Sequence, residues 1–309
     1  MAAIGLVLGA GGIVGHAWHC GVVATLARET GWDAREAAVL VGTSAGSSVA
    51  ATLRAGLSPA DHLARVTGGP LSPGGRALVG RAVGRPGEGL GSRPAAGGRR
   101  PASPALLAQA FLRPGVAMAG ALPAGTASTA PMGDRIRALY DRPWPDRRLW
   151  ICAVRLSDGR RVVFGRDATA PDVGGAVEAS SAIPGWFAPV TIGGQRFVDG
   201  GAHSPTNADV LGGVALDLVV VSSPMSGAGQ AIGLRAWHGR TLAREVRGLR
   251  ARGVPVLVVE PSAEDAGALG RGLEAMDPAR QAEAARRAVR TTVDRLLRPD
   301  AAPLVAVLR

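Results

Sequence analysis

The chain of 309 residues contains no lysine: all 35 of its Lys+Arg positions are arginine, set against 24 acidic residues, for a formal charge of +11. Cysteine is limited to Cys20 and Cys152. Two cysteines without metal-ligand spacing make neither a disulfide framework nor a metal site, so both read as buried thiols, and no metal or cofactor is required. Aromatic residues make up 4% of the chain. The arginines are spread along the sequence without an interleaved aromatic platform or a zinc finger, which argues against nucleic acid as a partner. No stretch approaches ~20 consecutive apolar residues, so no membrane span is expected. The opening "MAAIGLVLGAGG" has neither a basic n-region nor a long apolar h-region, and it reads as the first core strand of a cytoplasmic protein. Codon bias accounts for an Arg, Ala, Gly and Pro-rich composition. Its functional alternative is peripheral contact with an anionic membrane.

A chain of this length buries roughly three quarters of the surface its unfolded form exposes, enough for one large α/β domain spanning 1–309. Val/Leu-rich stretches at 4–9, 38–42, 149–155, 161–164, 216–222 and 254–259 read as strands, and helical periodicity runs through 16–30, 44–55, 173–182, 231–251 and 278–297. Their alternation predicts a layered sheet with parallel strands. Residues 68–131 differ, being dense in Gly, Pro and Arg with almost no period before about Pro104. They are expected to form an insertion or lid. Its first part, 68–103, carries Arg76, Arg81, Arg85, Arg93, Arg99 and Arg100, opposed by Glu88 alone, and could cover the site and settle on anionic lipid.

Three motifs carry chemistry. In "VLVGTSAGS" a buried strand runs into Gly42-Thr43-Ser44-Ala45-Gly46, the Gly-X-Ser-X-Gly elbow that lifts a serine hydroxyl above a sheet; the plainer reading makes Ser44 the cap of the following helix. In "VLGAGGIVGHAWHCGVV" a strand meets a glycine turn and a helix, an anion site made of backbone N–H groups. A dinucleotide site would need an acidic residue closing the second strand, where the elbow stands instead. As an oxyanion hole, the turn would offer the N–H groups of Gly11 and Gly12 to a carbonyl attacked by Ser44. In "RFVDGGAHSPTNADV" a hairpin turning at Gly193-Gly194 delivers Asp199 into a glycine pair.

Taken in order, the glycine turn ending at Gly15, the Gly42–Gly46 elbow and Asp199-Gly200-Gly201 resemble the patatin-like phospholipases. "SSAIPGWFAPV" and the tail "EAMDPARQAEAARRA" are similar to bacterial members. The resemblance covers most of the chain outside 68–131. It implies a three-layer α/β/α sandwich with a mainly parallel central sheet and lipid acyl hydrolysis by a Ser–Asp dyad without histidine. Ser44 would be the nucleophile, Asp199 the base, and Ala10, Gly11 and Gly12 the oxyanion hole, with Gly15, Gly42, Gly46, Gly200 and Gly201 completing the motifs. This sequence departs from the pattern at Ala10, usually glycine, and at Val14, usually basic.

Acyl transfer to an alcohol would use the same residues, and a non-catalytic interaction module would retain the same fold. An α/β-hydrolase triad would add Asp217 and His238, or His203. His203 is otherwise expected near the site mouth, His16 and His19 in structural roles, and His62 at the surface.

Overall fold

The computed structural model describes residues 2–82, 101–109, 114–167, 172–227, 234–270 and 272–309. Eight strands, β1 (Ile4–Leu8), β2 (Val39–Thr43), β3 (Arg148–Arg155), β4 (Arg161–Phe164), β5 (Val190–Ile192), β6 (Gln195–Asp199), β7 (Leu218–Ser222) and β8 (Val256–Val259), form one sheet in the order β5-β6-β3-β2-β1-β7-β8, with β4 also on β3. From β3 to β8 neighbours run parallel, while β4, β5 and β6 are antiparallel additions. Every residue of β1, β2 and β7 is buried, as expected of parallel strands covered on both faces.

Alternation along those strands sends Leu6, Leu8, Leu40 and Val220 to one face and Val7, Val39, Val41, Val219 and Val221 to the other. The first face carries α1 (Gly12–Thr30), α2 (Ala45–Arg54) and α3 (Pro59–Thr67). After α4 (Pro73–Arg81), α5 (Pro114–Ala121) and α6 (Ala130–Arg137), α7 (Val173–Ser180) returns to it. The second face is closed by α8 (Leu234–Arg250), through Leu242, Val246 and Leu249. After the short α9 (Ala266–Leu269), α10 (Gln281–Leu296) lies on α1, and α11 (Ala302–Leu308) ends the chain. The α1/α10 contact is close because both sides are small: a Cβ on Gly21 would stand 2.5 Å from the Ala285 carbonyl oxygen, beside buried Ala288. The result is a three-layer α/β/α sandwich.

The expected strands and the hairpin through Gly193-Gly194 are present, β6 ending on Asp199. The region 68–131 is more regular than its composition predicts. Ser58 and Ser72 cap α3 and α4, each followed by proline in the first turn. Asp61 joins the two caps by accepting from the Ser58 hydroxyl and from the Ser72 amide and hydroxyl at 2.6–2.8 Å. Helix α4 therefore stands where no regular structure was expected, and Gly75 leaves space for the Asp61 carboxylate. Arg76 and Arg81 of the proposed lid lie on α4; Arg85, Arg93, Arg99 and Arg100 lie outside the described residues. Among the described residues no helix is long and apolar enough to cross a membrane.

Candidate active site

The elbow is built by strain and by missing side chains. Ser44 has φ 53° and ψ −121°, and with Asn207 it is one of two non-glycine residues at positive φ among those described. Such a conformation costs on the order of 1–3 kcal/mol and persists only where its surroundings enforce it. A Cβ at Gly46 would stand 2.0 Å from the Leu8 carbonyl oxygen, and one at Gly42 2.5 Å from the Ser47 Cα. Glycine is what lets β1, β2 and the start of α2 approach this closely. Ser44 precedes α2, yet its side chain makes no capping hydrogen bond. Its hydroxyl stands instead beside the Asp199 carboxylate, where it favours the ionised form.

Asp199 reaches Ser44 through the register of β3. Thr43, the last residue of β2, lies opposite Cys152, and Asp199, the last residue of β6, lies opposite the next residue, Ala153. Strand β4 occupies the other edge of β3 at both positions. Strands β2 and β6 therefore approach along the same edge from opposite directions and end beside each other. The Asp199 carboxylate is buried and accepts the Gly201 N–H at 2.7 Å. Burial raises its pKa from 3.8 to about 7, against the lowering effect of the Ser44 and Gly201 hydrogen bonds.

The glycine turn faces the elbow across parallel β1 and β2, and the Gly46 N–H donates to the Gly9 carbonyl at 3.1 Å. The three turn residues are not equivalent. The Ala10 N–H is committed to the Pro205 carbonyl at 2.7 Å, whereas those of Gly11 and Gly12, at the N-terminus of α1, have no partner among the described residues. Gly15 packs its bare Cα against Pro224, and its N–H donates to the Gly11 carbonyl at 2.9 Å. Beside this turn and Ser44 opens a cavity continuous with solvent. Its apolar wall includes Ile13, Ile136, Leu139, Ile183, Phe187 and Met276; its polar members include His16, Ser181, Arg65 and Arg135.

Residues 6–211 match the family described as patatin-like phospholipase. The chain belongs to this family. Its fold is also similar to that of VipD from Legionella pneumophila, at 15% identity and a TM-score of 0.47, covering 96% of this chain and 67% of that one. No curated protein matches the sequence significantly.

In this patatin-like chain the surroundings of Ser44 and Asp199 are held by two further residues, Ser180 and Asn207. The Ser180 hydroxyl accepts the Ser44 N–H at 2.9 Å and donates to the Cys152 carbonyl at 2.7 Å. Asn207, itself at φ 53°, donates to the Thr43 hydroxyl and to the Gly200 and Ser204 carbonyls at 2.7–3.3 Å, tying the elbow to the Asp-Gly-Gly turn. The signal for Ser180 lay within "SSAIPGWF"; nothing local marks Asn207. Met276, beyond the family match, reaches the cavity beside Gly12.

The histidines are distributed differently from some expectations. His19 is a buried brace, bonded to Ser222 Oγ at 2.8 Å and to the Gly9 carbonyl at 2.7 Å. His62, expected at the surface, is 2% exposed and bonds to the Thr52 hydroxyl and the Ser58 carbonyl, so burial lowers its pKa to about 4. His203 lines a different cleft, with Trp237 and Glu245, rather than the mouth of the Ser44 cavity. The alternative triad is not assembled: Asp217 accepts the Ala3 N–H at the opposite end of the sheet, and His238 bonds to the Met225 carbonyl. Cys20 and Cys152 are buried free thiols.

Proposed function

We propose that this chain is a serine acyl hydrolase that cleaves carboxylic ester bonds of lipids through Ser44 and Asp199. The observation that carries the reading is the buried Asp199 carboxylate placed beside the Ser44 hydroxyl at a strained elbow opening onto a largely apolar cavity. Ser44 Oγ attacks the ester carbonyl carbon while its proton passes to Asp199, whose raised pKa makes it a stronger base than an ordinary carboxylate. Negative charge developing on the carbonyl oxygen is met by the Gly11 and Gly12 N–H groups. Asp199 then protonates the departing alkoxide, leaving an acyl ester on Ser44 that water hydrolyses by the same steps.

The apolar wall suits an acyl chain. Met276 in that wall supports treating 1–309 as one catalytic unit. The charge of +11 supports peripheral contact with anionic membranes from the cytoplasmic side. The test is a panel of soluble esters and phospholipid vesicles, with wild type and Ser44→Ala. Loss of at least about 1000-fold in turnover by a folded Ser44→Ala is expected. Retained turnover would overturn the assignment.

A further inference from the structure

Two polar side chains of the cavity have no part in the dyad or the glycine turn. His16, half-buried on α1, lines the cavity with Ser44. Its ring lies beside the backbone of Ala45, the residue after Ser44, which favours a protonated nitrogen there. In the neutral ring that nitrogen would keep the N–H, directed at the backbone. Burial, reinforced by the charge of Arg65, nevertheless keeps the ring neutral by lowering its pKa to about 3. A neutral imidazole with one nitrogen donating has its other nitrogen as an acceptor. Ser181 is 4% exposed, lines the same cavity, and its buried hydroxyl has no hydrogen-bond partner among the described residues. It follows Ser180, which holds the Ser44 amide. An orphaned buried hydroxyl carries a desolvation cost that a ligand group can relieve.

Building on the hydrolase reading above, we propose that His16 and Ser181 form a hydroxyl-binding subsite that positions the water, or a competing small alcohol, that resolves the acyl-Ser44 intermediate. A water molecule within an apolar cavity needs two to four polar partners. His16 would accept its O–H and Ser181 would bond its oxygen, leaving the second O–H for Asp199. The water oxygen then bonds to the acyl carbon and its proton passes to Asp199. As the acyl carbon–Ser44 oxygen bond breaks, that proton returns to Ser44 and a carboxylic acid leaves. An alcohol has one O–H, which must go to Asp199, so it is held in the subsite by Ser181 alone; its oxygen then bonds to the acyl carbon, its proton passes by way of Asp199 to Ser44, and an ester leaves. His16 and Ser181 are positioning residues, and their effect falls on the second half-reaction.

The experiment compares wild type, His16→Leu, His16→Gln and Ser181→Ala in three measurements: the rate of labelling by a fluorophosphonate, kcat on p-nitrophenyl butyrate, and the ratio of methyl ester to acid formed in aqueous methanol. Labelling reads attack by Ser44 alone. The proposal expects labelling within about twofold of wild type, kcat lowered about tenfold by His16→Leu and Ser181→Ala, and a product ratio shifted at least about threefold. His16→Gln, which retains an acceptor, should restore part of the loss. An unchanged product ratio in both His16→Leu and Ser181→Ala overturns the subsite, as does a loss of labelling that parallels the loss of kcat. Failure of the hydrolase reading gives a different pattern: wild type neither labels at Ser44 nor depends on it.

Discussion

The Ser180 hydroxyl accepts the backbone N–H of Ser44 at 2.9 Å while donating to the Cys152 carbonyl at 2.7 Å. One buried side chain thus fixes the strained residue after β2 to the neighbouring strand β3. Ser180→Ala leaves both backbone groups without that partner, and it should destabilise the fold by about 1–3 kcal/mol. Because the elbow loses its support, kcat should fall about tenfold or more with a smaller change in KM. Chemical denaturation and steady-state kinetics check the two effects; wild-type kcat in Ser180→Ala would show that the elbow supports itself.

In the proposed mechanism Ser44 and Asp199 act on one proton and should therefore fail together. Ser44→Ala and Asp199→Asn are each expected to abolish most ester turnover, with the double variant little worse than either single one. Additive losses in a double-mutant cycle would assign them independent roles.

The buried Asp199 carboxylate also ties activity and stability to pH. With its pKa near 7, the base form accumulates as pH rises, so kcat/KM should increase from pH 6 to pH 8. Stability runs the other way. The native state holds this proton more tightly than the unfolded chain, so the contribution of Asp199 is fully present below the unfolded value near 3.8 and is lost as pH rises through about 7. Asp199→Asn should accordingly be inactive yet more stable than wild type at pH 8, with the advantage fading toward pH 4. Thermal melts across that range are the measurement, and a melting difference independent of pH would count against the raised pKa.

Gly12 has φ 64°, and a Cβ there would meet the Ala275 carbonyl oxygen at 2.8 Å and Met276 Sδ at 2.9 Å. Gly12→Val should displace the turn and lower turnover about 100-fold or more, comparable to losing one oxyanion donor. Ala10→Gly should change kcat much less, because the Ala10 N–H is already bonded to Pro205. Parallel kinetics on the two variants rank the donors, and equal losses would contradict this division of roles.

Asn207 offers a test at a distance from the reacting atoms. Asn207→Ala removes three buried hydrogen bonds and leaves a methyl-bearing residue at φ 53°. Asn207→Gly removes the same bonds but accepts that backbone conformation freely. Both should lose stability, with alanine worse by about 1 kcal/mol. Equal stability of the two would mean that backbone strain at this position is negligible.

The parts of the site readable from sequence are those specified by adjacent residues. Gly42 and Gly46 announce the elbow because the close approach to Leu8 and Ser47 admits no side chain, and Gly193-Gly194 announces the hairpin that presents Asp199. Ser180 and Asn207 escaped notice because their partners lie far along the chain: Ser44 is 136 residues from Ser180, and Thr43 is 164 residues from Asn207. Helix α4 was hidden by its glycines, since its start depends on the Ser72 cap and the Asp61 bridge rather than on apolar period. His62 looked like a surface residue beside Asp61, yet the Thr52 hydroxyl ten residues earlier gives it a buried partner.

The shared edge of β3 has a consequence for the order in which the molecule can be made. As the chain leaves the ribosome, β1, β2 and β3 can pair in parallel, and Ser44 can take its place, before residues 195–199 have been synthesised. Until then the edge of β3 beyond Cys152 presents unpaired backbone groups, the kind of edge to which another nascent chain can add. Strand β6 closes that edge in the same movement that delivers Asp199, so protection from aggregation and acquisition of the proposed general base arrive together.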